Sequence, residues 1–152
     1  MKCKKLTNEY LAQKLLGTTW IVPPQTLEAY LFTDDATQKV TDQTVWVING
    51  YDKGYFFGDS YVALNGTDLI HTKMLGSITP LGDVLIAFYS GASNPISGFG
   101  KFDGKKFLMQ MNTIGTISIA HWSYMVSVRP EDPWYRSLPG LRISVPNFIA
   151  QF

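Results

Sequence analysis

The sequence has very little cysteine and little charge. Its 152 residues include a single cysteine, Cys3, which excludes an intramolecular disulfide and a cysteine-rich metal cluster. Charged residues make up only 16% of the chain, with a net charge of +1. No block of five or six like charges occurs that would follow a nucleic-acid backbone or an anionic membrane. The composition therefore predicts no nucleic-acid partner.

Long apolar runs are also missing. The basic start over residues 1–5 is followed by Leu6-Thr7-Asn8-Glu9-Tyr10, where a signal peptide requires a continuous apolar segment. No stretch approaches the ~20 apolar residues of a membrane-spanning helix. We therefore expect a cytoplasmic protein without membrane insertion. The length fits one domain, residues 1–152.

Aromatic residues, in contrast, are plentiful at 14% and are spread along the chain, a composition that favours sheets. Helical spacing occurs only over residues 7–16, where Thr7 can cap the helix and Gly17 can end it. Alternating patterns and turn signals such as Asn65-Gly66 then predict a succession of hairpins. The predicted strands cover residues 18–22, 26–32, 43–49, 54–64, 69–79, 83–90, 96–102, 106–114 and 116–128.

A meander of this many antiparallel strands has exposed edges unless it closes on itself. We therefore expect a mostly β fold, an up-and-down barrel of about eight strands over residues 18–128. A two-sheet sandwich is the alternative, but it needs longer connections than most of these turns provide. The proline-rich tail, residues 129–152, still carries many apolar side chains. It is expected to pack on the barrel or on a second subunit, which would make a homodimer.

Two residues carry a resemblance to a known family. A short helix leads to Gly17-Thr18-Thr19-Trp20 at the start of the first strand, and Arg129 ends the last strand. This arrangement resembles the opening of the calycin superfamily, which includes the lipocalins and fatty-acid-binding proteins, although those families have one residue between Gly and Trp. The resemblance implies that Trp20 closes the base of the barrel beneath the Arg129 side chain, and that a small apolar ligand binds inside.

Alternate side chains of a strand point to opposite faces, so the sequence also predicts which residues line the interior. The more apolar faces of the strands are expected to point inward, and in the last strand that choice favours Ala120, Trp122 and Tyr124 over Ile119, His121 and Ser123. The resulting candidate lining of a ligand cavity is Trp46, Phe88, Met109, Met111, Trp122 and Tyr124. The predicted ligand is a small hydrophobic molecule or an aromatic acid.

An enzyme is the alternative interpretation. Some small calycin-like barrels, phenolic acid decarboxylases among them, use interior tyrosine and glutamate side chains. Glu28 could take that role with Tyr55, Tyr61 and Asp59 if its face points inward, since burial raises a carboxyl pKa. This would be a lyase or isomerase that needs no cofactor. The competing expectation is that Glu28 is a solvated carboxylate on the outer face.

The two histidines, His71 and His121, are both expected on outer faces. We therefore predict no metal site, because three or four converging ligands would be needed. A Ser-His-Asp arrangement of Ser123, His121 and Asp59 is conceivable, but no nucleophile-elbow motif supports it. No dinucleotide-binding motif is present either, and no cofactor is expected.

Overall fold

The computed structural model of the chain describes residues 5–33, 36–89, 91, 96–113 and 118–152. It begins with helix α1 (Asn8–Leu15), whose first turn is capped by Thr7 Oγ1 accepting from the Tyr10 amide at 3.2 Å. Gly17 follows with φ +71°, a left-handed conformation that suits glycine. The predicted helix is confirmed, with Thr7 and Leu16 as its caps.

The described residues form nine strands in one antiparallel sheet that closes on itself. From the third strand to the ninth, each strand pairs with its neighbours in sequence. The mostly β, up-and-down barrel is thus confirmed, and the sandwich alternative is wrong. The strands are β1 (Thr18–Ile21), β2 (Glu28–Thr33), β3 (Ala36–Asp52), β4 (Tyr55–Leu64), β5 (Asp68–Ile78), β6 (Asp83–Tyr89), β7 (Ile96–Phe102), β8 (Lys106–Thr113) and β9 (Ser118–Val128).

Nine strands make a barrel of eight positions because β1 and β2 share one position. Both pair with β3 on one side and with β9 on the other. Between them the chain leaves the sheet at Pro23 and forms a short 3₁₀ helix, Pro24–Thr26. Proline cannot donate to a ladder, so the sequence itself forces this break in the barrel wall.

Strand β3 is longer than its pattern indicates. The sequence predicts a strand over residues 43–49, whereas β3 spans 17 residues from Ala36. Its first part reads as polar because Thr37, Gln38 and Lys39 are exposed, yet these residues pair with β2 in a hairpin. The strand is extended by backbone pairing with β2, which cannot be predicted from side-chain polarity.

Helix α1 lies across one end of the barrel. Leu6 N–H donates to the Pro80 carbonyl at 2.8 Å, and the Tyr10 hydroxyl donates to the Gly104 carbonyl at 3.1 Å. Leu11 and Leu15 join the main core beneath the helix. We call this part of the barrel the helix-capped half, and its large side chains are Trp20, Trp46, Phe56, Phe102, Phe107 and Met109.

Trp20 lies in the helix-capped half, but Arg129 does not contact its ring. Phe107 and Phe102 pack edge-on against Trp20, with ring centroids at 4.8 and 5.8 Å. The Arg129 side chain is 75% exposed, and its Nε lies 3.3 Å from a Glu131 carboxylate oxygen. The expected stacking is wrong because β9 ends at Val128, so the charged side chain stays in water.

The tail packs on the outside of the barrel. It contains α2 (Pro133–Arg136) and α3 (Val145–Ile149). Buried Leu138 and Phe148 form a second core with Ile21 and Val45, which face outward from β1 and β3. One wall of the barrel is therefore apolar on both faces. Among the described residues, no helix is long and apolar enough to cross a membrane.

Candidate functional site

The inward faces of the middle strands are those that the alternation predicts. Val84, Ile86 and Phe88 of β6 are buried, as are Phe107 and Met109 of β8. On β5 the inward set is Ile70, Thr72, Met74 and Ile78. Parity is reliable in these strands because only one face of each is covered.

The face predicted for the last strand is wrong. Trp122 is 56% exposed, whereas His121, Ser123 and Met125 are buried inside the barrel. The outer face of β9 is apolar partly because Val128 belongs to the second core beneath the tail. Periodicity identifies the more apolar face of a strand but does not say what covers it.

The six predicted ligand-binding residues therefore divide into three groups. Trp46 and Met109 are fully buried in the main core. Phe88 and Met111 line a cavity. Trp122 and Tyr124 lie on the outer face, with their ring centroids 6.0 Å apart. The structure thus does not bring all six together, and a ligand role for the interior ones stays a prediction.

The interior cavity lies beyond the main core, on the side away from α1, and has a volume of about 70 Å³. Val62, Ile70 and Ile119 of its wall also pack against a small cluster of buried residues farther along the barrel. We call this region the cavity half. Its lining is Asp42, Thr44, Ser60, Val62, Ile70, Thr72, Phe88, Ile96, Met111, Asn112, Ile119 and His121.

A buried chain of hydrogen bonds forms one wall of the cavity. His121 Nδ1 lies 3.1 Å from Asp42 Oδ2, and His121 Nε2 lies 2.6 Å from the Thr26 carbonyl oxygen. Thr44 Oγ1 donates to Asp42 Oδ1 at 2.6 Å. A carbonyl only accepts, so Nε2 carries a proton. The Thr26 carbonyl is available because the chain leaves the sheet between β1 and β2.

Two effects oppose each other at His121. Burial lowers the pKa of His121. The hydrogen bond and charge of Asp42, together with the hydrogen bond to the Thr26 carbonyl, raise it and outweigh burial, so the pKa lies above the ordinary value of 6.5. Both ring nitrogens are engaged, Nδ1 with the Asp42 carboxylate and Nε2 with the Thr26 carbonyl. His121 is therefore a satisfied, paired group and not a free base.

Several other polar groups in the interior have no side-chain partner among the described residues. Ser60 and Thr72 line the cavity without a side-chain hydrogen bond to any described residue. Thr26 Oγ1, Trp46 Nε1 and Ser123 Oγ are buried and likewise unpaired within the described part of the chain. Buried polar groups normally find partners, so the interior holds more hydrogen-bonding capacity than the described residues use.

The residues of the enzyme alternative lie outside the barrel. Glu28 is 65% exposed and lies 2.8 Å from Lys39 Nζ, and Tyr55 is also exposed. The solvated position for Glu28 is thus confirmed. Tyr61 and Asp59 lie on the same outward face of β4. An acid–base site built from these four residues inside the barrel is therefore wrong.

The Ser-His-Asp arrangement with Asp59 is wrong as well. Asp59 accepts from His71 Nε2 at 2.8 Å and from Lys73 Nζ at 2.7 Å on the outer face. Burial raises the pKa of Asp59, but these two partners reverse that effect and hold the pKa below its usual value. The acid that pairs with His121 is Asp42. Sequence reasoning missed it because residues 36–42 were not assigned to a strand.

The described residues contain no group of three or more potential ligands that could hold a metal ion. Comparisons with protein-family models, curated proteins and solved structures find no match. The candidate site is therefore defined by its geometry alone, as a small, largely apolar cavity with a buried His121–Asp42 pair in its wall.

Proposed function

We propose that this protein binds a small, mostly apolar molecule inside its barrel. The observation that carries the proposal is the cavity, which lies inside the barrel beyond the main core and has Val62, Ile70, Phe88, Ile96 and Met111 among its lining residues. A ligand site of this kind is typically a concave apolar space with a few polar groups that fix orientation. The architecture implied by the calycin resemblance, a short helix followed by a meander that closes into a barrel, supports the same proposal.

The volume sets the size of the ligand. An apolar cavity of roughly 150 Å³ can hold benzene, whereas this one measures about 70 Å³. A ligand with one ring therefore requires some side chains to move. Met111 is only partly buried, and methionine adapts more easily than branched residues. The proposal is a ligand of few heavy atoms, accommodated by rotation of Met111.

The hydrogen bonding favours binding over catalysis. Both ring nitrogens of His121 are engaged, one with Asp42 and one with the Thr26 carbonyl, so neither is available to activate the Ser123 hydroxyl. Asp42 is the other acid–base group among the described residues of the lining, and both of its oxygens are engaged. A homodimer through the tail stays a prediction, and much of the tail's apolar surface, including Leu138 and Phe148, is already buried against the barrel.

Toluene and the methionine methyl groups provide the test. With ¹³C-methyl labelling of methionine, toluene should shift the Met111 signal saturably and leave Met125, which is buried outside the cavity lining, nearly unchanged. Ile70→Trp should fill the cavity and abolish the shift. Leu69→Trp, which places the same ring on the outer face one residue away, should preserve it.

The proposal fails if toluene produces no saturable shift at Met111, or if both tryptophan variants respond alike while remaining folded. Should Ile70→Trp fail to fold, Met111→Leu provides a second variant. Toluene would then be followed at the labelled Ile70 methyl group. Because the proposal requires Met111 to move, Met111→Leu should weaken toluene binding, whereas the cavity-distant variant Leu81→Met should leave it unchanged. Equal binding constants in these two folded variants would contradict the proposal.

A further inference from the structure

We infer that the ligand carries no charge and presents one hydrogen-bonding oxygen to Ser60 and Thr72. This inference rests on the proposed function, since it describes the ligand of the same cavity. It narrows the sequence-based expectation, which allowed an aromatic acid.

The two hydroxyl groups are placed as a pair. Ser60 on β4 lies directly opposite Thr72 on β5 in the register of the two strands. Both side chains point into the barrel and line the cavity, and their residues are only 2% and 4% exposed. Neither makes a side-chain hydrogen bond to another described residue. Each hydroxyl can donate one hydrogen bond and accept others, so a ligand carbonyl or hydroxyl finds both functions there.

The charged groups of the cavity lining argue against a ligand that carries a carboxylate. His121 is the one basic side chain in the described lining, and its nitrogens are committed to Asp42 and the Thr26 carbonyl. A ligand carboxylate would find no unpaired cation and would lie in the same small cavity as the Asp42 carboxylate. Burying an unpaired charge in an apolar environment is far more costly than burying a hydrogen-bonded neutral group.

A cationic ligand is disfavoured by the same pair. Asp42 is the lining's one acidic side chain within the described chain, and its two oxygens accept from His121 and Thr44. An ammonium group would have to break this pairing and leave the buried His121 Nδ1 without its carboxylate partner. The remaining wall is largely apolar. The ligand class is therefore a small neutral amide, ketone or alcohol with an apolar body.

Three probes of nearly equal size test the inference: benzamide, benzoate and toluene. Benzamide and benzoate have almost the same shape and differ in charge, whereas toluene has no polar group. Titrations at pH 7.5 would follow the Met111 methyl signal. We expect benzamide to bind at least tenfold more tightly than benzoate, because the carboxylate would be buried without a partner.

Two variants test the hydroxyl pair. Ser60→Ala and Thr72→Val each remove one hydroxyl with little change of shape, and each should weaken benzamide about fivefold. Toluene affinity should stay within a factor of two, because toluene makes no hydrogen bond. Ser97→Ala, which removes an exposed hydroxyl from β7, is the matched control and should change neither affinity.

The outcomes separate the two proposals. If none of the three probes shifts Met111 saturably, the proposed function fails and the inference falls with it. If toluene binds but benzoate equals or exceeds benzamide, the inference alone is overturned. It is also overturned if Ser60→Ala and Thr72→Val leave the ratio of benzamide to toluene affinity unchanged, which would mean that these hydroxyl groups contact water instead of the ligand.

Discussion

The two halves of the barrel are built from the same strands but have different interiors. In the helix-capped half, Trp20, Phe56 and Phe107 are fully buried and their rings pack against one another or against shared neighbours. In the cavity half, β3 and β4 contribute Thr44 and Ser60 around an unfilled space. Position along the barrel axis, and not the face of a strand, thus separates the packed core from the candidate binding site.

The break between β1 and β2 helps to explain why the halves differ. It frees the Thr26 carbonyl from the sheet, and an unpaired buried carbonyl is costly. His121 satisfies that carbonyl, and Asp42 in turn pairs with His121. Polar side chains therefore enter the cavity half to complete the wall, whereas large apolar rings fill the helix-capped half.

The largest expected effect lies in the helix-capped half. Trp20→Ala should lower the free energy of unfolding by roughly 3–5 kcal/mol, because it deletes a large aromatic side chain from a filled core. Denaturant unfolding measures this loss. Arg129→Ala is the control and should change stability by less than about 0.5 kcal/mol, since its side chain is exposed. A loss below about 1 kcal/mol for Trp20→Ala would contradict the view that this half is filled.

In the cavity half, the expected large effect comes from charge and not from packing. Asp42→Ala should cost about 3 kcal/mol, because it leaves the buried His121 without its carboxylate. Chemical denaturation near pH 6 would measure it. The double variant Asp42→Leu with His121→Leu should lose less than Asp42→Ala alone, since no buried charge remains unpaired. A double variant that is clearly less stable than the single one would show that the pair itself stabilises the barrel.

Sequence reasoning identified the barrel and most interior faces because turn dipeptides and alternation are local signals. Asn65 is at a left-handed turn position between β4 and β5, as the Asn65-Gly66 pattern predicts. The orientation of β9 was not predictable in this way. Its apolar outer residue Val128 is buried by Phe148 and other tail residues, which come from a distant part of the sequence.

The candidate site was harder to predict than the fold. Phe88 and Met111 were identified from alternation, but Asp42 and His121 depend on a contact between residues 79 positions apart. No local sequence pattern predicts that contact. The break at Pro23 and Pro24 was visible in the sequence. Its consequence, a hydrogen bond between the Thr26 carbonyl and His121 on β9, follows only from the three-dimensional arrangement.

Met109 and Met111 provide the most direct comparison of the two halves. They lie on the same face of β8, but Met109 is fully buried in the main core while Met111 lines the cavity. Met109→Ala should cost about 3 kcal/mol, within the range for a filled core. Met111→Ala should cost about 1 kcal/mol, because little packing is lost next to an existing space. Equal losses in urea unfolding would mean that the cavity is not distinct from the core.

The smallest expected effect is the pH dependence of the cavity half. Burial lowers the pKa of His121, but Asp42 and the Thr26 carbonyl outweigh it and raise the pKa above 6.5. The folded state therefore holds the proton more tightly than the unfolded state. The resulting stabilisation is fully present below about pH 6.5 and is lost as the pH rises through the folded-state pKa. The effect is smaller than that of Asp42→Ala because only the proton is removed and both side chains remain.

The stability difference between the native sequence and His121→Gln, measured by unfolding from about pH 5.5 to about pH 9, should therefore shrink as the pH rises. His71→Gln is the control for the exposed histidine on β5. A difference that stays constant or grows with pH would contradict a raised pKa for His121 in the folded protein.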